Sequence, residues 1–310
     1  MIATLRQKIA ASFGRLLSPA NPAAEAADAP YQALMRDGVC VVPSCMPDDA
    51  RLAALAAIDL FKTRHRDLIV RNLDEFGHLY RVVNLHLAID AFADLFAQET
   101  IALAVCDRFL GASTSLYTSL YFERGSEQDL HRDTPYFCTR PSGRYLGMWL
   151  ALDDVGPDNG PLRVVRGSHA LPPVDVRAMA KSLFPDPSAA PASSNEGWVC
   201  YQRAVQRQCQ DRGMATDTLY VSAGDVVIWH PEMLHGGAPH LRRELPRRSL
   251  VMHVTPKGTP VYHMDVFFNQ DKRVSDKSEL DYLRRGRRSI AQFADVDFGH
   301  QFSVPARDLR

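Results

Sequence analysis

His131 and Asp133 stand two positions apart, with His235 and Arg247 following downstream. On a β-strand residues i and i+2 share a face, so one strand can present an imidazole and a carboxylate side by side. A second histidine from a distant strand completes a two-His-one-carboxylate face. That donor set suits non-haem Fe(II) and leaves the opposite coordination positions open for a cosubstrate and dioxygen. Arg247 extends the idea. Alternation through residues 246–253 puts Arg247, Ser249, Val251 and His253 on one strand face. A buried guanidinium needs a carboxylate, and its planar fork grips one bidentately. If no protein acid faces Arg247, a bound dicarboxylate can. The competing reading makes Arg247 and Arg248 surface residues beside Arg242 and Arg243.

A lone His-x-Asp means little in a chain with 11 histidines, so the context decides its weight. The pair follows a run in which Tyr117, Ser119 and Tyr121 alternate onto one side, which predicts a position at the mouth of a barrel, where ligand pockets form. His235 comes just past the apolar run 225–229 and before Gly236-Gly237, a corner that admits close approach of backbone or cosubstrate. Other histidines have bland roles available. His230 precedes Pro231 at a strand end, and His169 closes an Arg-Gly-Ser-His turn. His253 is the strongest rival because its parity matches Arg247, and it reads as an imidazole hydrogen-bonded inside the barrel.

The elements that must position these groups are mainly β with flanking helices. Strands are expected at 39–43, 116–123, 144–153, 162–165, 218–221, 225–229, 249–254 and 261–267, with turn signals such as Asp158-Asn159-Gly160 between them. A helix starts at Pro47-Asp48 and buries Leu52, Leu55, Ile58 and Phe61; a second is expected over 91–110. Many short strands behind helices argue for a sandwich or jelly roll.

Composition sets outer limits. The 310 residues, 46% hydrophobic and 23% charged with zero formal net charge, describe an ordinary globular chain and argue against a nucleic-acid-binding surface. Six cysteines without a Cys-x-x-Cys pair, and no secretory signal, read as reduced thiols in the cytoplasm. Residues 1–18 form an amphipathic leader, basic and too short and charge-interrupted to span a bilayer; it either packs on its own domain or touches a membrane peripherally. An Ala/Pro linker follows to residue 30, and residues 31–310 form one domain with its jelly-roll core at about 115–256.

Taken in order, His131-Arg-Asp133, residues 149–154, residues 158–169, residues 224–235 and Arg247 resemble the phytanoyl-CoA dioxygenase family, over approximately residues 37–254. The resemblance implies a double-stranded β-helix, cupin-like, and an Fe(II)- and 2-oxoglutarate-dependent dioxygenase. It implies that His131, Asp133 and His235 bind iron and that Arg247, together with Ser249, holds the distal carboxylate of 2-oxoglutarate. Trp149, Ser119 and Tyr121 match the cosubstrate pocket, and Arg81 matches a basic residue there. The implied reaction consumes dioxygen, releases succinate and CO2, and hydroxylates an unactivated C–H bond of a small-molecule or lipid-linked substrate. Retention of Asp133 favours hydroxylation, although desaturation and cyclisation use the same ligands. The chain departs from the family at Gly237, His240 and Arg166, and carries an insertion at about 174–217, with Trp198 and Tyr201, suited to a lid or substrate wall. The basic stretches 240–243 and 283–288 suggest an anionic substrate. Two further readings stay open: a non-catalytic cupin-like metal-binding module and a degenerate family member.

Overall fold

The computed structural model describes residues 25–274 and 280–310, so the leader and the first part of the linker lie outside the described residues. The last linker residues are helical instead: α1 (Asp28–Asp37) begins before the expected boundary at residue 30. Gly38 ends α1 in the left-handed conformation (φ 79°), returning its N–H to the Leu34 carbonyl. β1 (Val39–Val42) follows, then α2 (Asp48–Arg64), with acids in its first turn and bases in its last to complement the helix dipole. Leu55, Ile58 and Phe61 of α2 are buried as their spacing predicts, but Leu52 is 54% exposed because the covered stripe is narrower than expected. After β2 (Val82–Val83), the helix expected over 91–110 is two: α3 (Asp90–Ala97) and α4 (Ile101–Leu110). Gln98 turns extended, and the Thr100 side chain accepts from the Leu103 N–H to cap α4.

The remaining elements are β3 (Thr114–Phe122), β4 (Cys138–Thr139), β5 (Leu146–Ala151), β6 (Leu162–Val164), α5 (Val176–Leu183), α6 (Asn195–Asp211), β7 (Asp217–Leu219), β8 (Val226–Trp229), β9 (His235–Gly237), β10 (Ser249–Pro256), β11 (Val261–Tyr262), α7 (Met264–Phe267), β12 (Tyr282–Arg285), β13 (Arg288–Ala291), β14 (Asp295–Phe298) and β15 (Phe302–Pro305). The strand expected over 261–267 is thus two residues of strand and a helical turn. A large sheet runs β1-β8-β5-β10-β3-β2-β14-β15, with β13 added parallel to β3, and a small sheet runs β7-β6-β9.

Two cores explain why β5 and β8 are buried at every residue rather than at alternate ones. Met148, Leu150, Val226 and Ile228 pack under α2, α3 and α4, while Trp149, Ala151, Val227 and Trp229 face the small sheet and meet Leu162, Val164 and Leu219. Strands covered on both faces lose their polar alternation. The result is the expected jelly roll, with helices on one face of the large sheet. A third cluster, built from Val176, Ala180, Tyr201, Val205 and Phe268, gives the insertion its own core. Two arginines of the basic stretch 283–288 are tied to acids, Arg285 to Asp90 and Asp94 and Arg288 to Glu99 and Asp107, while Arg284 and Arg287 are exposed. Among the described residues no helix is long and apolar enough to cross a membrane.

Candidate metal and cosubstrate site

The small sheet delivers His235 at the start of β9, and a single antiparallel bridge brings His131 beside it. The His131 N–H donates to the His235 carbonyl (2.7 Å), and the His235 N–H donates back (2.9 Å). The bridge ends there. Asp133 lies in a bend rather than on a ladder strand, so the shared-strand-face argument is corrected in its cause, although the pair does converge. His131 Nε2 and His235 Nε2 approach Asp133 Oδ1 to 3.8 and 3.7 Å, and one donor atom from each residue lies within 4.8 Å of the others.

Hydrogen bonds behind the three side chains aim their donor atoms. His131 Nδ1 meets the Asp129 carbonyl (2.7 Å) and His235 Nδ1 the Met233 carbonyl (3.1 Å). A carbonyl only accepts, so each Nδ1 carries the proton and each Nε2 keeps a free lone pair. Asp133 Oδ2 accepts from Trp229 Nε1 (3.0 Å) and from His253 Nε2 (3.1 Å), which leaves Oδ1 for a metal. Burial pushes His235 down to about 4, so it is neutral and ligand-ready at pH 7. Burial alone would raise the Asp133 carboxyl, but His235, His253 and His131 around it outweigh that and hold it well below the usual carboxylate range. The donor set therefore fits a divalent cation of the Fe(II) type.

His253 is hydrogen-bonded inside the barrel as expected, and its partner is Asp133; its ring stacks on Phe137 at 3.9 Å. Trp229 is a site residue that sequence reasoning missed, since a tryptophan at a strand end reads as core. Gly147 makes room for it, because a Cβ there would sit 2.0 Å from the indole. Gly147→Ala is expected to lower stability by about 1–3 kcal/mol and, by swinging the indole off Asp133, to weaken metal binding about 10–100-fold. Urea unfolding and chelator competition read the two effects separately; unchanged metal affinity would mean that Trp229 does not aim the carboxylate.

Arg247 is 3% exposed, and no acidic partner faces it among the described residues. Its Nε donates to the Gly160 carbonyl and its Nη1 to Ser249 Oγ, both at 3.1 Å, while its guanidinium lies 4.7 Å from the centre of the Trp149 ring. Burial pushes it down to about 10, so it stays charged at pH 7. The Trp149 indole N–H is buried without a hydrogen-bond partner, as is Arg81 Nε. Trp149, Arg81, Arg247 and the three candidate ligands all line one cavity of about 850 Å³. A buried cation without an acid, beside an unused donor, fits a carboxylate-bearing ligand.

Ser119 and Tyr121 are not among the lining residues. The register between β10 and β3 shifts so that His253 pairs with Thr118 and Val254 with Leu116, leaving Tyr117 unopposed. This bulge changes the strand parity, and Thr118, Leu120 and Phe122 face the cavity together with Tyr117. Ser119 bonds His86 Nδ1 (2.7 Å), and the Tyr121 hydroxyl donates to Glu123 (3.0 Å), both buried away from it. At the family departures, a Cβ on Gly237 would lie 2.7 Å from the Glu127 nitrogen, and His240 bridges the Gly125 N–H and the Leu245 carbonyl. Those two positions serve backbone packing. The insertion forms a cavity wall through Ser193, Asn195 and Trp198, with the Trp198 ring 5.7 Å from that of His131.

Comparison with known proteins agrees with this geometry. The chain is 24% identical over 188 residues to phytanoyl-CoA dioxygenase domain-containing protein 1 of Danio rerio, covering 52% of this chain and 61% of that protein. Matches to the curated relatives span about a third to three-fifths of their own lengths. Among solved structures, the non-heme alpha ketoglutarate dependent epimerase SnoN superposes with a TM-score of 0.57 at 18% identity, covering 86% of this chain and 96% of that one. EctD from S. alaskensis, solved with 2-oxoglutarate and 5-hydroxyectoine, gives 0.54 at 15% identity over 76% of this chain and 77% of that one. These likenesses establish the fold. The Phytanoyl-CoA dioxygenase family model matches residues 34–249, from within α1 to the first residue of β10, and takes in His131, Asp133, His235 and Arg247. With that match on a jelly roll whose donor atoms converge, the chain belongs to the phytanoyl-CoA dioxygenase family.

Proposed function

We propose that this protein is an Fe(II)- and 2-oxoglutarate-dependent dioxygenase that hydroxylates an unactivated C–H bond of a small molecule. The observation that carries the reading is Arg247, a buried guanidinium without a carboxylate partner among the described residues, opening into the same cavity as the His131, Asp133 and His235 donor atoms. Bound Fe(II), with 2-oxoglutarate and dioxygen, supplies the oxidising chemistry and leaves succinate and CO2. The chain's own residues do the rest. His131, Asp133 and His235 would hold the metal. Arg247, braced by its bond to Ser249, grips the distal carboxylate of the cosubstrate, the Trp149 N–H offers a further donor, and Arg81, just before β2, adds positive charge. Tyr117, Tyr136, Phe137, Trp198 and Phe293 make an apolar wall that excludes water and packs against the substrate body. An intact carboxylate at Asp133 supports hydroxylation. The epimerase and carbocyclase among the structural neighbours show how far this fold's chemistry ranges.

Anaerobic titration with Fe(II) and 2-oxoglutarate tests the cosubstrate site, and oxygen exposure with succinate assay tests turnover. Saturable binding followed by succinate release is expected; absence of 2-oxoglutarate binding to the metal-loaded protein would overturn the assignment. A screen of lipids, sugars and amino-acid derivatives then reads the outcome by mass. A gain of one oxygen marks hydroxylation, whereas loss of two hydrogens would replace it with desaturation or cyclisation.

A further inference from the structure

The segment carrying His131 and Asp133 leaves its backbone bridge at His131, so the peptide groups of residues 132–134 have no strand partner to fix them. An amide side chain from the insertion takes that place. Gln202, on α6 and 4% exposed, accepts the Arg132 N–H on its Oε1 (2.9 Å) and donates its Nε2 to the Arg132 carbonyl (2.9 Å) and to the Thr134 carbonyl (3.4 Å). One turn on, Gln206 donates to the Leu130 carbonyl (2.6 Å). The Arg132 side chain is gripped from the other direction, by Glu232 (2.7 Å) and the Ser168 carbonyl (2.7 Å). The Arg132 side chain also donates to the Tyr201 hydroxyl of α6 (3.4 Å), so the residue between two candidate ligands is held by the insertion through its main chain and by the jelly roll and the insertion together through its side chain.

We propose that Gln202 is a positioning residue for the metal site, its carboxamide standing in for a missing β-strand and fixing the angle between His131 and Asp133. This rests on the metal-binding reading given above. Glutamine suits the task because its amide matches a peptide group: one acceptor and two donors reach both sides of Arg132, whereas a carboxylate cannot donate and an apolar side chain does neither. Asn195 and Trp198, earlier on α6, line the cavity. The element that meets the substrate is therefore the one that aims the ligands, and the insertion is more than a removable lid.

The test compares full-length Gln202→Leu and Gln202→Glu with Val205→Ala, a substitution in the insertion's own core that touches none of these bonds. Co(II) affinity by chelator competition, the Co(II) ligand-field spectrum and amide hydrogen exchange of residues 130–134 in the metal-free protein are the readouts. Both Gln202 variants are expected to bind Co(II) about 10–100-fold more weakly, with an altered spectrum and faster exchange over 130–134. Val205→Ala should lower the melting temperature while keeping affinity and spectrum. Gln202→Leu binding Co(II) as Val205→Ala does, with the parent spectrum, would overturn the proposal. A His131→Ala arm separates the two failures: if it binds Co(II) like the parent, the metal site itself is misassigned, and the clamp falls with it.

Discussion

Arg247→Leu is expected to weaken 2-oxoglutarate binding severely and, at the same time, to make the ligand-free protein more stable. The two effects have one cause. Burial lowers Arg247 from 12.5 to about 10, and at about 1.4 kcal/mol per pKa unit, keeping it charged in the fold costs about 3 kcal/mol. The bonds to Gly160 and Ser249 and the contact with the Trp149 ring return part of that, about 1–2 kcal/mol. A leucine, shorter but of similar volume, removes the charge and keeps apolar contact, so the urea midpoint should rise by the equivalent of about 1 kcal/mol at unchanged slope. Cosubstrate affinity should fall by about a hundredfold or more, because the ligand carboxylate would be buried without a counter-charge. A variant that unfolds more easily yet binds 2-oxoglutarate normally would make Arg247 a structural residue.

Asp133→Ala is expected to cost more than any change behind the ligands. It removes the only carboxylate of the donor set and leaves the Trp229 and His253 donors facing nothing. Fe(II) affinity should drop beyond the about 10–100-fold loss typical of a supporting hydrogen bond, while Trp229→Phe, which spares the carboxylate, should fall within that range. Metal competition under anaerobic conditions ranks the two. Equal losses would mean that orientation, rather than charge donation, is what Asp133 contributes.

The convergence of the candidate ligands was legible because such residue types are rare in combination, even though the physical reason first given for His131 and Asp133 was mistaken. A strand would have placed them together; a bridge, a bend and the Gln202 amide do so instead. Parity served well on β10, where Arg247 and Ser249 do meet, and failed on β3, where one extra residue at Tyr117 reverses it. A bulge leaves no signature in a run such as residues 114–122. Trp229 and Gln202 were hidden for another reason: their roles exist only through partners distant in the chain, and locally they read as a core aromatic and a polar helical residue. The strands β12 and β13 went unannounced because residues 283–288 read as a basic stretch suited to an anionic substrate, whereas Arg285 and Arg288 are tied to acids on and around α3 and α4. The division of α3 from α4 was within reach, since Thr100 is a good capping residue ahead of an apolar run.

The reciprocal pair of bonds between His131 and His235 has a kinetic side. It joins segments separated by five strands and the whole insertion, so closing it is a non-local event in folding, and such contacts form late and slowly. A metal that needs both imidazoles cannot assist that search, because its site does not exist until the search has ended. Its grip is felt on the return path: a bound ion must be released before the two halves part, so loading retards unfolding without hastening folding. Metal occupancy would then act as a measure of lifetime, marking chains that have finished folding and keeping them so.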